Sequence, residues 1–116
     1  MQIRKVFQEI NPELLHNEVK DFTRKQGAVL VESRIETYSS TNDSSSFTSR
    51  GTLVFNAQEK SGIKGGECLR AHIVGSVKEE TRLMIDIDEK LFNKSKISAL
   101  QADLEFIFGN YEVSLS

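Results

Sequence analysis

Two histidines, one cysteine and a scatter of carboxylates are the side chains of this sequence best suited to chemistry, so their spacing is the first thing to weigh. His72 and Asp86 occupy polar positions of successive strand-like segments. A three-residue turn at Lys78-Glu79-Glu80 would set Val77 opposite Thr81, Gly75 opposite Leu83 and Ile73 opposite Ile85. The same register sets His72 opposite Asp86 and Arg70 opposite Asp88. A histidine held by a carboxylate is the minimum for general acid–base work. Opposite charges across strands are also the ordinary way to stabilise a solvated sheet face, and that reading outweighs the first. No residue is assigned a catalytic role.

The remaining motifs fare no better. Cys68 and His72 share a strand face but would lie roughly 13 Å apart at about 3.3 Å per residue, too far for a nucleophile and its base. His16, among Glu13, Asn17 and Lys20, reads as a surface residue. Gly62-Ile63-Lys64-Gly65-Gly66 has the glycines of a phosphate loop, but a strand follows it where that chemistry needs the start of a helix. Asp86-Ile87-Asp88-Glu89 opens like a calcium loop, then places Lys90 and Leu91 where an oxygen ligand and a glycine are required. Neither a metal nor a cofactor is expected.

Composition narrows the classes. The chain has 116 residues, 38% hydrophobic and 28% charged, which suits one globular domain over 1–116. Fifteen basic and 17 acidic residues give a net charge of −2, without the basic excess that bulk electrostatic binding of nucleic acid requires. No apolar run approaches the roughly 18 residues of a membrane span. The first residues, Met1-Gln2-Ile3-Arg4-Lys5, lack a secretory apolar stretch, and a lone cysteine excludes an internal disulfide. The expectation is a cytoplasmic protein that binds neither nucleic acid nor membrane.

The elements that must position any site are easier to read. Ile3 and Phe7 against Val6 and Ile10 suggest a first strand. Asn11-Pro12 is a cap followed by proline at the first helical position, and Leu15, Val19 and Phe22 recur at helical spacing before Gly27, which predicts a helix over 12–26. The period then becomes two: Val29, Val31, Ser33 and Ile35 fall on one face, and Glu32, Arg34 and Glu36 on the other. Ser39–Ser46 is too polar to pack and reads as a hairpin loop. Phe47, Gly51, Leu53 and Phe55 form the apolar side of the next strand, Leu69, Ala71, Ile73, Gly75 and Val77 of the one after, with Cys68, Arg70 and His72 opposed. Leu83, Ile85 and Ile87 complete the meander against Arg82, Asp86 and Asp88. Helical spacing returns in Ile97, Leu100, Leu104, Ile107 and Phe108, capped by Asn93 or Ser95 and followed by Gly109. Tyr111, Val113 and Leu115 could add a short edge strand.

These elements specify an α+β domain of β-α-β4-α order, an antiparallel meander sheet packed against two helices. The order resembles that of the TATA-binding-protein-like folds, which include helix-grip proteins of the Bet v 1 and START type. It is a likeness of element order over most of the chain, carried by no motif. It implies an apolar site beneath the last helix; Phe47, Phe55, Phe106, Phe108 and Tyr111 concentrate in the third strand and the last helix, where in a domain this small they more often just fill the core. The leading expectation is a non-enzymatic binding protein holding a small hydrophobic ligand against Phe55, Ile73, Ile85, Leu104 and Phe108. The alternative is a protein–protein interaction or regulatory module with a protein partner or a homodimer, formed through the charged sheet face or an edge strand.

Overall fold

A computed structural model describes residues 1–39, 47–58, 65–76 and 78–113. The expected loop over Ser40–Ser46, the glycine run at Gly62, and the contributions of Val77 and Leu115 lie outside these residues. The described chain runs β1 (Gln2–Gln8), α1 (Pro12–Lys25), β2 (Val29–Ser39), β3 (Phe47–Asn56), β4 (Glu67–Gly75), β5 (Glu80–Ile87) and α2 (Lys94–Phe108). The five strands form one antiparallel sheet in the order β1-β5-β4-β3-β2, and both helices contribute to a single core with it. No helix of the described residues is long and apolar enough to cross a membrane.

Local signals set the helix ends. Asn11 Oδ1 accepts the Glu13 N–H at 2.8 Å, and Pro12 opens α1 where no N–H is needed. Gly27 adopts φ 90° and returns its N–H to Arg24 O, a left-handed stop that a side chain would strain. Of the two caps suggested for α2, Asn93 serves, accepting from Lys96 N at 3.0 Å. Gly109 stays right-handed at φ −55°, and the chain continues into a 3-10 turn over Gly109–Tyr111. Ile107, expected in the packed stripe, is exposed; Ile97, Leu100, Leu104 and Phe108 are buried.

On the helix-covered face, side chains line up in rows across the strands. One row reads Leu30, Phe55, Leu69 and Ile87; the next Ser33, Leu53, Ala71, Ile85 and Ile3; the next Ile35, Gly51, Ile73, Leu83 and Lys5. A fourth runs through Thr37, Ser49, Gly75, Thr81 and Phe7. At β2 the rows alternate between apolar side chains, Leu30 and Ile35, and hydroxylated ones, Ser33 and Thr37, and the hydroxyls make polar contacts. Thr37 bonds Ser49 at 2.9 Å, and Ser33 meets His16 at 3.2 Å.

Two expectations about pairing are corrected. A bulge between Leu30 and Glu32 inserts Val31 into β2, which shifts the alternation by one. Leu30 takes the core position opposite Phe55, and Val29 and Val31 are exposed. The connection from β4 to β5 is also longer than three residues: Ser76 accepts the Lys78 and Glu79 N–H groups, and pairing begins at Gly75 opposite Thr81. The register is therefore displaced by two. His72 faces Met84, and Arg70 faces Asp86.

The tail forms part of the expected edge strand. Val113 N donates to Val6 O at 2.7 Å and Glu112 bridges Phe7, while Lys5 and Glu112 pair at 2.8 Å. These contacts cover the outer side of β1 at Lys5–Phe7. On the outer side of β2, at the opposite end of the sheet, no strand pairs among the described residues.

Candidate functional site

The five residues expected to line an apolar site come together in one cluster. Phe55, Ile73 and Ile85 lie in three different rows of the sheet, and Leu104 and Phe108 face them from α2; all five are at most 2% exposed. Phe7 and Phe92 join the same cluster, and the Phe7 and Phe108 rings meet at 5.9 Å with a 58° tilt. The other aromatics do not point inward: Phe47, Phe106 and Tyr111 are exposed, Phe106 at 88%. Surface clefts of the described residues are lined by other groups: one by Gln8, Glu9, Lys78, Glu80 and Arg82, another by Arg4, His72, Val74 and Met84.

The polar residues weighed for chemistry are separated. Asp86 accepts from Gln2 Nε2 at 2.8 Å, and Arg70 pairs with Glu67 at 2.8 Å. Asp88 accepts the Lys90 N–H in a local turn. Cys68, expected on the polar face, is buried because the strand pairing becomes irregular between Phe55 and Asn56; burial pushes its thiol up, away from the thiolate a nucleophile needs.

His16 is the main residue that the sequence reading misplaced. It is 1% exposed, wedged between α1 and the β2–β3 pair. A Cβ at position 51 would lie 2.6 Å from its Nδ1, so Gly51 is what makes room for the ring. Nε2 meets Ser33 Oγ, while Nδ1 is buried without a hydrogen-bond partner. Only part of the signal was present: His16 stands one turn before Val19 and two turns before Thr23, both buried. Burial, and secondarily the Lys20 ammonium, holds the imidazole below its ordinary range. A lowered value in the folded state means that the unfolded chain takes up the proton first as pH falls. The stability contributed by the neutral ring is thus complete above about pH 6.5 and declines below it. The wild type should lose more stability than His16→Gln between about pH 7 and pH 5, by up to about 1.4 kcal/mol per pH unit. Thermal melts of both chains across that range check this, and parallel curves would mean that His16 titrates freely in the fold.

β2 itself is the exposed element with the most unused bonding capacity. It is the longest strand, 11 residues, and no residue along it is fully buried on either face. Val31 is 58% exposed and Tyr38 50%, with Val29 beside them and Phe47 at the facing end of β3. Glu32, Arg34 and Glu36 alternate on the face away from the helices, where Arg34 Nε lies 4.0 Å from Glu36 Oε1 and the Tyr38 hydroxyl donates to Glu36. No known family model matches the chain, and no curated protein or solved structure is significantly similar to it.

Proposed function

We propose that this chain is a binding protein that engages a protein partner by strand addition along the free edge of β2. The observation that supports this most directly is an 11-residue strand with no fully buried residue, regular over Glu32–Ser39, with its outer N–H and C=O groups unpaired by any described strand. Such an edge is a template for another strand, and main-chain bonds of this kind are a recurring mode of peptide recognition. The sequence Val-Leu-Val-Glu-Ser-Arg-Ile-Glu-Thr-Tyr-Ser contains neither the lysine nor the proline that commonly blunts an edge.

A second reading is a small hydrophobic ligand held between the sheet and α2, as in a helix-grip-like fold. The convergence of Phe55, Ile73, Ile85, Leu104 and Phe108 favours it. It requires side chains that now bury one another to part, whereas the edge of β2 is ready as it stands. One NMR titration separates the two. Extended peptides of alternating apolar and charged residues should perturb the amides of Glu32–Ser39. Fatty acids, sterols and aromatic metabolites should leave Phe55, Leu104 and Phe108 unshifted. Peptides that bind nowhere along β2 would overturn the first reading, and shifts confined to the interior would establish the second.

A further inference from the structure

The free edge of β2 carries a charge pattern that selects its own partner. Residues directly opposite one another in an antiparallel pair share a face, so two copies of one strand related by a two-fold axis must be centred on a residue and not between two. That leaves few registers. With the centre at Arg34, Arg34 faces itself and Glu32 faces Glu36, setting like charges together; with the centre at Glu36, Glu36 faces itself. A centre at Ser33 pairs Glu32 with Arg34 but runs at once into the bulge at Val31. A centre at Thr37 leaves Arg34 without a partner inside the strand.

With the centre at Ile35, every pairing is favourable or neutral. Arg34 meets Glu36 on both sides of the axis, Ser33 meets Thr37, Glu32 meets Tyr38, and Ile35 meets Ile35. The strand is regular throughout Glu32–Ser39, beyond the bulge, so pairing is uninterrupted there. Both charged side chains are more than half exposed in the single chain, where they lie a loose 4.0 Å apart. Opposite charges directly across strands stabilise a sheet, and like charges there destabilise it by a similar amount.

Resting on the reading of β2 as an interaction edge, we infer that its partner is a second copy of this chain, bound antiparallel, β2 to β2, across a two-fold axis at Ile35. The contact is isologous and closed: it consumes the free edge of each copy and joins two five-stranded sheets into one. The alternation of Glu32, Arg34 and Glu36 then acts as a register lock, rejecting the neighbouring alignments as well as strands of other charge pattern.

Sedimentation equilibrium on the full chain tests this through charge exchange. The wild type should approach twice the 13.1 kDa chain mass as concentration rises, and the amides of β2 should gain protection from deuterium exchange over the same range. Arg34→Glu alone and Glu36→Arg alone each place like charges together at both pairs, and each should weaken association about tenfold or more. The double variant R34E/E36R should recover wild-type association, because each glutamate again faces an arginine. An equimolar mixture of the two single variants should recover it as heterodimers. Circular dichroism melts of every variant confirm that the fold is kept, as expected for exposed side chains. A wild type that stays monomeric with unprotected β2 amides would overturn the second copy as partner, leaving the peptide titration to decide on the edge. A dimer indifferent to both single variants would overturn the pairing centred at Ile35, and the peptide titration would again decide on the edge.

Discussion

Phe55→Ala is expected to destabilise the fold by about 3–5 kcal/mol, a large part of the roughly 5–15 kcal/mol that holds a domain of this kind together. The ring is fully buried on the helix-covered face of β3, with Leu30 and Leu69 on either side of it in the same row. Its removal leaves a hole bounded by strands that are fixed by their own hydrogen bonds and cannot close in. Chemical denaturation measures the loss; a value under about 1 kcal/mol would mean that the interior collapses freely around position 55. The same variant probes the occupancy of the core. An apolar cavity of this origin admits a small aromatic molecule, and binding raises the melting temperature by mass action. Benzene or indole should stabilise Phe55→Ala and leave the wild type unchanged. Stabilisation of the wild type would show that its interior already has room for a ligand. As a control, Phe106→Ala should be nearly neutral, within about 0.5 kcal/mol, since that ring is 88% exposed.

Gly75→Ala should be damaging for the opposite reason. A Cβ there would lie 2.5 Å from the Cα of Thr81, the residue paired with Gly75 at the start of the β4–β5 ladder. The obstacle is backbone, which cannot rotate away like a side chain. Thr81 is itself fully buried and donates from Oγ1 to Ile10 O at 3.3 Å, tying the entry of α1 to the start of β5. Accommodating one methyl group means opening the ladder or breaking that tie. We expect a loss at the upper end of the overpacking range, about 3 kcal/mol, with deuterium exchange accelerated at Gly75, Thr81 and Ile10. A melt within about 0.5 kcal/mol of the wild type would place Thr81 farther from Gly75 than described.

Which parts of this architecture could be read from the sequence follows from the periodicities involved. Side chains of a strand alternate with a period of two, so the displacement of β5 by two residues against β4 left Ile73, Leu83 and Ile85 on the core face while every cross-strand partner changed. The core was legible for that reason, and the His72–Asp86 pairing was not. An inserted residue has the reverse effect: the bulge at Val31 moves Val29 off the core face and Leu30 onto it, and no residue type in Val-Leu-Val announces this. His16 failed for another reason. Its burial depends on Gly51, distant in sequence and opposite Ile35, whose missing side chain makes a space that the helix pattern alone does not reveal. Phe55, Ile73, Ile85, Leu104 and Phe108 share one buried cluster because each sits on a periodic stripe. The exposed edge of β2 was not legible, since strand order across a sheet is a property of the whole chain.

The position of β1 has a consequence for how the molecule comes into being. Strands β2 to β5 each pair with the strand next to them in sequence, so that meander can zip up from local turns. β1 pairs only with β5, and Gln2 meets Asp86 across a separation of 84 residues. Closing so long a loop comes late in folding. During synthesis, at roughly 5–20 residues per second, the first strand must wait several seconds before its partner exists at all. Throughout that interval β5 has not yet been made, and when it emerges one side of it is open to any strand nearby. The segment at Glu112–Val113, made later still, then closes over β1 through the bond from the Val113 N–H to Val6 O.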